Sequence, residues 1–521
     1  MNLKTLWQRH RKLILFSLTL LFFIISYSRA DRGFQVDSET LVTGAVMAER
    51  KDIAVNDYGM GIYSDILGDL RNYNIAPLNG ILVENGYLTD RCGLLVAKSS
   101  YSDMIAKKTA AVMLANGERI AITKIAPVAK EYTAIYLAGD SPLNEKTAGK
   151  ITDLKFIDDE GNILPSATFT PYRSQYGLPG KMAIMADKVL GSLNIYGFRG
   201  SLNIICGLAS ALVFMAISYL VAKKYDNLLG LAFLFTFITG EWVRNFAINS
   251  YWVEFTWFIP MLLGLYCSLN RESFKRRYAC YGLAFFAILV KSLSGYEYLS
   301  TIMLGMIMFP LTDMLIAVKN HNKKIIKQAG CIIIGLGFMG ILGFFTALSM
   351  HAELRGNGDI NTGIANIYHQ DVLRRTWAGD EKSNFGENYQ PSLNAGALEV
   401  VGKYYLHWSG SLVRFIPAKT FPLLALLPLL IWYCYRRKNK PSPISTEIWL
   451  LYGLSFLAAI SWFVLAKSHS YVHTHMNYVL WYFGFVQILV YTLLLLLRKL
   501  LVQHKAKIIS CTDNILKELI R

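Results

Sequence analysis

Residues 298–327 read YLSTIMLGMIMFPLTDMLIAVKNHNKKIIK, an apolar run that ends in a cluster of basic residues. As a helix, the apolar part is long enough to cross a hydrocarbon core of ~30 Å. The same alternation of apolar run and short connection recurs along the chain. The apolar runs lie at 13–28, 203–222, 228–243, 251–269, 279–292, 298–318, 328–349, 417–435, 447–466 and 477–498. We therefore predict an α-helical polytopic membrane protein with about ten spans.

The basic residues gather on one side of these spans. The segments that would share this side are 1–12, 223–227, 270–278, 319–327, 436–447 and 498–521, which together contain 24 Lys and Arg against five Asp and Glu. Since the whole chain carries a net charge of +17, the opposite side is close to neutral. By the positive-inside rule both termini are predicted to be cytoplasmic. The basic balance thus describes membrane topology, and nucleic acid is not an expected partner.

The predicted spans divide the chain into eight segments. These are a cytoplasmic N-terminus with the first span (1–28), an external loop with an acidic motif (29–78), a β-rich extracytoplasmic insertion (79–172), a return to the membrane (173–202), spans two to seven (203–349), a second external loop (350–416), spans eight to ten (417–498) and a cytoplasmic tail (499–521). The first span is expected to stay in place as a signal anchor, because no Ala-x-Ala cleavage site follows it.

The insertion is predicted from its strand pattern. Asn116-Gly117 separates two apolar runs at 110–114 and 119–125, and this dipeptide is the strongest short signal for a β-hairpin. Further strands are expected at 131–138, 151–157 and 163–170, with a turn at 159–162. Cys92 alone among the seven cysteines belongs to the external loops, so no disulfide framework is expected.

Two segments before the insertion show apolar residues at helical spacing, 37–50 and 57–71. We expect short helices that lie along the outer membrane surface, or that belong to the folded β region.

Ionisable and aromatic residues gather at the external ends of the spans. They are Asp37 and Glu39 after span one, Glu241 and Arg244 at the end of span three, Glu254 in span four, Tyr296, Glu297 and Tyr298 before span six, and Lys467, His469, His473 and His475 before span ten. Such groups are costly at membrane depth and usually line a cavity or pathway. Their position on one face predicts a single outward-facing site, with ordinary interfacial anchoring as the alternative for each cluster.

The chemistry that is possible at that face limits the classes of function that the chain could have. No P-loop or dinucleotide fingerprint occurs, and a transferase outside the cytoplasm must take its group from a lipid carrier. Sugar transfer from such a carrier needs a carboxylate that accepts the proton of the attacking hydroxyl, and cations or donors at the leaving phosphate. Asp37 and Glu39 fit the first role. The second role fits Lys467, His469, His473, His475 and Arg244.

Each assignment leaves an alternative. Asp37 also suits the N-cap of a helix over 38–50. The three histidines also suit a divalent metal, although no complete ligand set is evident and no metal residues are assigned. Glu297 either binds sugar hydroxyls or pairs with Lys291 or Arg244.

With these residues in place, the chain resembles the GT-C superfamily of membrane glycosyltransferases, most of all bacterial members related to the serotype-converting O-antigen glucosyltransferases. The resemblance rests on Asp37 directly after span one and on residues 172–180, which are similar to a Ser-Gln-x-Gly-Leu-x-Gly segment. It also rests on Gly295-Tyr296-Glu297-Tyr298 and on residues 473–478. The chain departs from the family by its Asp-Ser-Glu motif, where adjacent acids are usual, and by the β insertion.

The resemblance implies a polyprenyl-phosphate-linked sugar as donor, with a divalent metal needed in some members and not in others. It implies Asp37 as the base of an inverting displacement and Glu39 as an auxiliary acid or acceptor contact. Sugar or acceptor contacts would come from Glu297, Tyr296, Tyr298, Arg173, Gln175, Glu241 and Glu254. The basic and histidine positions would face the carrier phosphate.

The leading expectation is a glycosyltransferase (hexosyltransferase) of the bacterial cytoplasmic membrane that modifies a glycan or a lipid-linked saccharide such as an O-antigen. A partner flippase and a carrier-charging transferase would supply its donor. The competing classes are a transporter of a lipid-linked saccharide or anionic solute, an O-antigen-type polymerase that uses His351, Arg355, Arg374, Arg375 and His407, and an anchored adhesion module.

Overall fold

A computed structural model describes most of the 521 residues. The described ranges are 3–31, 34–55, 57–65, 80–97, 108–129, 132–165, 167–191, 193–194, 200–408, 410–499 and 501–502. The chain divides into two compact units. One comprises 1–39, 173–179 and 190–521, and the other comprises 40–172 and 180–189. The first is mostly helical, and the second holds an antiparallel β-sheet region.

The helices of the chain are defined as follows: α1 (Leu3–Tyr27), α2 (Val36–Arg50), α3 (Glu145–Ala148), α4 (Leu178–Leu190), α5 (Ser201–Lys224), α6 (Asn227–Thr239), α7 (Glu241–Ala247), α8 (Phe255–Leu269), α9 (Phe274–Ser294), α10 (Leu299–Lys319), α11 (Lys323–Arg355), α12 (Ile360–Ile367), α13 (Leu373–Arg375), α14 (Gln390–Asn394), α15 (Ala397–Leu406), α16 (Phe421–Arg437), α17 (Thr446–Leu465), α18 (Lys467–Val472) and α19 (485–499). A π-helical turn at Tyr368–Val372 joins α12 to α13.

Several of these helices are suited to a membrane. Among the described residues, five helical segments are long and apolar enough to cross one: Ser201–Lys224, Leu299–Lys319, Lys323–Arg355, Ala418–Arg437 and Thr446–Leu465. Three shorter apolar helices lie at Leu13–Tyr27, Asn227–Thr239 and Phe255–Leu269. These segments indicate a membrane protein, as the sequence predicts.

Two of the predicted spans are wrong as continuous helices. The run 228–243 breaks at Gly240, where the backbone is extended. Only glycine fits at this position, because a Cβ would lie 2.6 Å from the ring of Tyr482. The run 477–498 starts as a 3₁₀ turn at Asn477–Tyr482, and α19 begins only after Gly484, whose φ is +108°. Glycine adopts these close or left-handed conformations without a side-chain clash, so hydropathy alone misses both breaks.

Close helix packing in the first unit depends on small residues. α8 packs against α10, and α9 packs against α11. A Cβ on Gly264 would lie 1.7 Å from the carbonyl oxygen of Met306, and one on Gly343 would lie 2.4 Å from that of Phe285. Small residues allow such approaches between membrane helices. Glycine at these two positions therefore permits the close packing of α8 on α10 and of α9 on α11.

The strands of the second unit are β1 (Gly61–Asp65), β2 (Val83–Glu84), β3 (Tyr87–Leu88), β4 (Gly93–Ala97), β5 (Thr109–Met113), β6 (Arg119–Ala129), β7 (Tyr132–Leu137), β8 (Lys155–Asp158), β9 (Ile163–Leu164) and β10 (Ala167–Pro171). Eight of them form an antiparallel sheet in the order β2-β3-β4-β7-β6-β5-β8-β9. Its core includes Tyr87, Leu94, Val112 and Phe156.

The predicted hairpin is confirmed. β5 pairs with β6 from Met113 opposite Arg119, and Gly117 in the loop has a φ of +87°. The expected turn at 159–162 is also present, because the Asp158 carboxylate accepts hydrogen bonds from the backbone of Glu160 and Asn162. The segment 163–170 is two strands and not one, since β9 and β10 pair with different partners.

The two helices predicted before the insertion have different outcomes. α2 covers the first of them. The helix predicted at 57–71 is wrong over 57–65, where β1 pairs with β10 from Gly61 opposite Pro171 to Asp65 opposite Ala167. Residues 66–71 lie outside the described residues. Pairing with a strand from a distant part of the sequence overrides the local helical periodicity of this segment.

Candidate functional site

Glu297 is the centre of a buried polar cluster in the helical unit. The Nε2 of Gln175 donates to its Oε1 at 3.1 Å and to the hydroxyl of Tyr251 at 2.8 Å. The guanidinium of Arg375 donates to the same Oε1 at 3.4 Å. Glu297 lies in the turn between α9 and α10, where Gly295 has a φ of +151° and leaves room for the carboxylate. Glu297 and Gln175 therefore meet, whereas the predicted partners Lys291 and Arg244 do not form an ion pair with Glu297.

Lys291, near the end of α9, instead donates to the backbone carbonyl oxygen of Gly295, the residue that directly follows this helix. It thereby holds the Gly295-Tyr296-Glu297-Tyr298 turn in shape.

A set of arginines surrounds Asp371, a residue that the sequence reasoning missed. Arg355 pairs with Asp371 at 2.6 Å, Arg374 at 3.4 Å and Arg375 at 3.8 Å. Asp371, Arg374 and Arg375 sit at helical i, i+3 and i+4 spacing across the π-turn and α13, and this spacing was a usable signal. Three arginines face two carboxylates here, Asp371 and Glu297, so the cluster keeps an excess of positive charge.

Tyr296 and Arg173 belong to the edge of the same cluster. The Tyr296 hydroxyl and the Nδ1 of His351 are 3.2 Å apart, and the two rings stack. Arg173 takes part through its backbone: its carbonyl oxygen accepts from Arg355 at 2.8 Å and lies 3.1 Å from the Nε2 of His351. Burial raises the pKa of the Tyr296 hydroxyl, and Asp371 acts in the same direction, so the phenol remains protonated.

The predicted histidines form a row that runs out of this cluster. The ring centroids of His469 and His473 are 4.4 Å apart, and those of His473 and His475 are 5.5 Å apart. Burial lowers the pKa of His473 to about 4, with His475 acting in the same direction and Glu297 opposing it. Burial also lowers the pKa of His469, and the charges of His473 and Arg375 add to that effect. These two imidazoles are neutral at pH 7 and act as hydrogen-bonding groups, while the positive charge comes from the arginines.

Asp37 acts electrostatically on His475, the last residue of the histidine row. It is exposed, in the first turn of α2, one residue inside the helix and not at its N-cap. Desolvation lowers the pKa of His475, and the carboxylate of Asp37 opposes this shift, which places the two groups within electrostatic reach. An acidic residue is favourable in the first turn of a helix.

Glu39 has a positioning role. Its Oε1 accepts from the Nδ2 of Asn203 at 2.7 Å, from the backbone N–H of Ser250 at 2.8 Å and from the Ser250 hydroxyl at 3.2 Å. Burial raises the pKa of Glu39, and these hydrogen bonds oppose the rise. The residue ties the start of α2 to α5 and to the turn before α8.

Lys467 does not lie where a phosphate could reach it. Its ammonium group is buried and donates to the carbonyl oxygens of Leu393 and Ala395, both at 2.7 Å. It also lies 4.9 Å from the ring centroid of Trp377. Lys467 therefore fixes α14 against the start of α18, and the expectation that it binds the carrier phosphate is not supported by this geometry.

Three other predicted contact residues have hydrogen-bond partners or surroundings other than Glu297. Glu241 accepts from the backbone N–H of Ser411 at 2.6 Å and so holds the hairpin of β11 (Ser411–Val413) and β12 (Ile416–Pro417). Tyr298 is fully buried, stacks on Trp252 and donates to the Oδ1 of Asn477 at 2.7 Å. Glu254 is fully buried, and within the described residues its two carboxyl oxygens have no hydrogen-bond partner.

The cluster also contains buried polar atoms without a hydrogen-bond partner in the described part of the chain. These are the Oε1 of Gln175, the Nδ1 of His469, the Nδ1 of His473, the hydroxyl of Ser470 and the Nδ2 of Asn477. Leaving such atoms unpaired costs free energy, and they usually bond to water or ligand. Their concentration along the histidine row indicates a site for a polar ligand.

An apolar cleft opens beside the cluster. It has a volume of about 320 Å³ and runs between α10, α11 and α17. Its apolar wall includes Leu299, Phe344, Leu348, Trp462 and Leu465. Its polar end holds Arg375, Asp371 and Tyr296. We call it the first cleft.

A metal site would need a group of at least three His, Cys, Asp or Glu side chains. Within the described residues, no group of three His, Cys, Asp or Glu side chains has a geometry that could hold a metal ion.

Comparison of the chain with protein-family models, with curated protein sequences and with solved structures finds no match.

Proposed function

We propose that this chain is an integral-membrane glycosyltransferase of the GT-C type. It would move a sugar from a polyprenyl-(di)phosphate carrier to a glycan or a lipid-linked saccharide at the outer face of a bacterial cytoplasmic membrane. The observation that carries the proposal is the first cleft, because an apolar groove that ends at an arginine suits a ligand with an apolar chain and a phosphate.

The placement of charges along the helices supports the orientation. α10 carries the Tyr296–Tyr298 turn before its first residue and Lys319 at its last. α17 precedes Lys467 and the histidine row, while α16 ends with Arg436 and Arg437. The candidate site and the basic clusters thus lie at opposite ends of the same helices. With about ten spans and cytoplasmic termini, the site would face outward.

The donor would enter the first cleft with its lipid chain. The chain would lie against Leu299, Phe344 and Leu348, and its phosphate would reach Arg375. Arg375 is shared with Glu297 at 3.4 Å and Asp371 at 3.8 Å, distances long enough for a phosphate oxygen to compete for the guanidinium.

The sugar would then lie along the histidine row. Gln175, His473 and Asn477 each present a buried polar atom without a partner among the described residues, and sugar hydroxyls both donate and accept hydrogen bonds. Neutral imidazoles suit this role, because either ring nitrogen can accept or donate.

The chemical step would be a single inverting displacement. The oxygen of an acceptor hydroxyl attacks the anomeric carbon, and its proton passes to the carboxylate of Asp37. The bond from the anomeric carbon to the phosphate oxygen breaks, and its electron pair leaves with the carrier phosphate. Arg375, with Arg374 and Arg355 behind it, would stabilise the charge that grows on that oxygen. A carrier-charging transferase and a flippase would renew the donor.

One observation favours a second candidate, a polymerase that joins saccharide repeats. Its arginines would come from the second external loop, and Arg355, Arg374 and Arg375 do converge there around Asp371. The two candidates differ in product, since a polymerase changes chain length and a transferase adds one sugar.

The test is mass spectrometry of surface glycans and lipid-linked saccharides from cells that express the natural chain or Asp37→Asn. Asp52→Asn serves as control, because Asp52 is exposed just after α2 and its left-handed φ of +55° suits asparagine. A fixed hexose increment with the natural chain and the control, lost at equal membrane level with Asp37→Asn, supports the proposal. A change of chain length supports the polymerase, and an unchanged increment with Asp37→Asn contradicts Asp37 as the base.

A further inference from the structure

A second apolar cleft lies between α1 and α5. It has a volume of about 350 Å³. Its lining includes Ile24 on α1 and Ile204 and Leu208 on α5. These side chains are between 37% and 55% exposed, so the cleft is open along its length to the surroundings of the helices. In a membrane such a groove is open to lipid chains.

The cleft has polar groups at one end only. The hydroxyl of Tyr27 is buried and has no hydrogen-bond partner within the described residues. Ser28 and Asn203 complete this end of the lining. Asn203 donates to Glu39 at 2.7 Å, and Glu39 is two residues from Asp37. The polar end of the cleft is therefore tied directly to the motif that carries the proposed base.

Three arginines belong to the segments that are joined to this end of α1. Arg29 follows Ser28 in the chain. Arg244 lies on α7, which is joined to the end of α1 by a hydrogen bond of 2.9 Å from the Asp31 backbone to Asn245. Arg414 lies on the β11–β12 hairpin, which Glu241 of α7 holds through Ser411. In the described part of the chain none of these three arginines forms an ion pair, and the Nε of Arg244 is buried without a partner.

The electrostatics agree with this arrangement. Partial burial lowers the pKa of Arg244, and Glu241 opposes this shift. The positive charges of Arg414 and Arg29 lower the pKa further, and Asp31 has a weaker opposing effect. The group contrasts with Arg355, Arg374 and Arg375, which are all paired with carboxylates. Three arginines without ion pairs at the end of an apolar groove suit a ligand with two or more negative charges.

We propose that the second cleft binds the lipid chain of the acceptor, and that Arg29, Arg244 and Arg414 bind its phosphate or diphosphate. The acceptor is then a saccharide linked through phosphate to a membrane lipid, and not a free glycan. This inference rests on the proposed function, since it names the substrate that meets the donor at Asp37. Arg244 accordingly belongs to the acceptor phosphate and not to the donor phosphate.

The first test measures binding alone. The purified full-length chain is labelled with a photoreactive benzophenone analogue of farnesyl diphosphate, and the labelled peptides are mapped by mass spectrometry. We expect label in α1 and α5, at least about tenfold weaker in Ile204→Trp and in Arg244→Gln, because one variant fills the groove and the other removes a charge-assisted contact. Ile205→Trp is the matched control, since Ile205 is 47% exposed on the same helix and does not line the cleft.

The outcomes separate the occupants. Equal label in Ile204→Trp and Ile205→Trp, or label restricted to α11 and α17, overturns the proposal. Competition by phosphatidylglycerol vesicles as strong as by unlabelled farnesyl diphosphate also overturns it, because the cleft would then hold bulk lipid. Leu208→Trp repeats the groove test if Ile204→Trp fails to fold, as judged by its thermal unfolding in detergent.

The second test measures transfer. With a lipid-linked acceptor, Ile204→Trp and Arg414→Gln should raise the KM for acceptor about tenfold or more and leave the KM for donor unchanged. An unchanged acceptor KM in both variants overturns the acceptor assignment while the proposed function stands. If no variant and no natural chain transfers sugar, the proposed function fails, and the labelling still decides whether the cleft binds a lipid phosphate.

Discussion

The low pKa of His473 leads to a prediction about acid stability. An imidazole with a pKa of about 4 is only about 3% protonated at pH 5.5, whereas one with the ordinary value near 6.5 would be about 90% protonated. The perturbation is therefore a fall in pH from 7 to 4.5, compared between the natural chain and His473→Gln. Glutamine keeps hydrogen-bonding groups at this position and cannot take up a proton.

The direction of the stability change follows from the two pKa values of His473, about 4 in the folded chain and about 6.5 in the unfolded chain. Because the unfolded chain binds the proton more readily, the neutral His473 contributes stability that is fully present above about pH 6.5 and is lost as the pH falls towards about 4. A shift of about 2.5 pH units corresponds to at most about 3 kcal/mol in the free energy of unfolding. His469 has its pKa lowered for the same reason and should add to the loss.

The assay is thermal unfolding of the purified chain in detergent at pH 7, 5.5 and 4.5. We expect the natural chain to lose more stability between pH 6.5 and 4.5 than His473→Gln does. His321→Gln is the control, because His321 is exposed in the turn between α10 and α11 and should leave the acid loss as it is in the natural chain. Identical pH dependence in the natural chain and in both variants would refute the buried, neutral state of His473.

Transfer activity supplies a second readout of the same reasoning. If the arginines carry the positive charge, Arg375→Gln should lower kcat by about 10²–10³-fold, the loss typical of one group that stabilises a developing charge. His473→Gln should affect the KM for donor more than kcat. The contrary result is a transfer rate that falls in the natural chain as the pH rises through about 6.5 but does not fall in His473→Gln. This result would mean that the imidazolium of His473, and not its neutral imidazole, is the active form.

Three further predictions concern positioning groups. Glu39→Gln should keep most activity, whereas Glu39→Ala should lower thermal stability by about 1–3 kcal/mol, because it leaves buried donors unpaired; equal behaviour of the two variants would contradict the hydrogen-bonding role. Gly264→Ala should lower the yield of folded protein, because its Cβ would meet a carbonyl oxygen of α10, while Gly282→Ala, with open space around it, should not; the measurement is monodisperse protein per cell mass. Lys467→Ala should increase proteolysis of the 377–395 segment and leave the KM for donor unchanged, and a raised donor KM in stable protein would restore Lys467 to the phosphate site.

The β region shows which hairpins can be predicted from local sequence. Asn116-Gly117 was enough to predict the β5–β6 hairpin, because both residues adopt backbone conformations that suit a tight turn. The same dipeptide occurs at Asn85-Gly86, with φ values of +51° and +87°, and it joins β2 to β3. Those strands are only two residues long, so they lack the alternating pattern that made the other hairpin visible.

β1 could not be predicted from the sequence, because its only described pairing is with a strand far away in the chain. Residues 61–65 pair with 167–171 across more than a hundred intervening residues, and no local pattern encodes that partner. Hydropathy has a similar limit in the helical unit. It gives the position of each apolar run but not the breaks at Gly240 and Gly484, which depend on a close neighbour and on a positive φ.

The candidate site was predicted in part for a related reason. Its turn residues, Glu297 and the histidines, stand out in sequence because they interrupt apolar runs. Asp371 lies in a polar loop, where acidic and basic residues are common, and its helical spacing to Arg374 and Arg375 was the one local signal. Its role depends on Arg355, which approaches from the end of α11. Such convergence of distant segments becomes visible only in the folded chain.

The geometry also separates the two acids of the Asp-Ser-Glu motif. A general base must reach the acceptor hydroxyl, and it must have an acceptor oxygen available in the reacting complex. Glu39 is partly buried, and its Oε1 is used by donors from Asn203 and Ser250. Asp37 is exposed, and its charge acts on His475. A motif with one residue between its acids thus gives them different surroundings: Glu39 holds the start of α2 through hydrogen bonds, while Asp37 is exposed, as the proposed base must be to meet an acceptor.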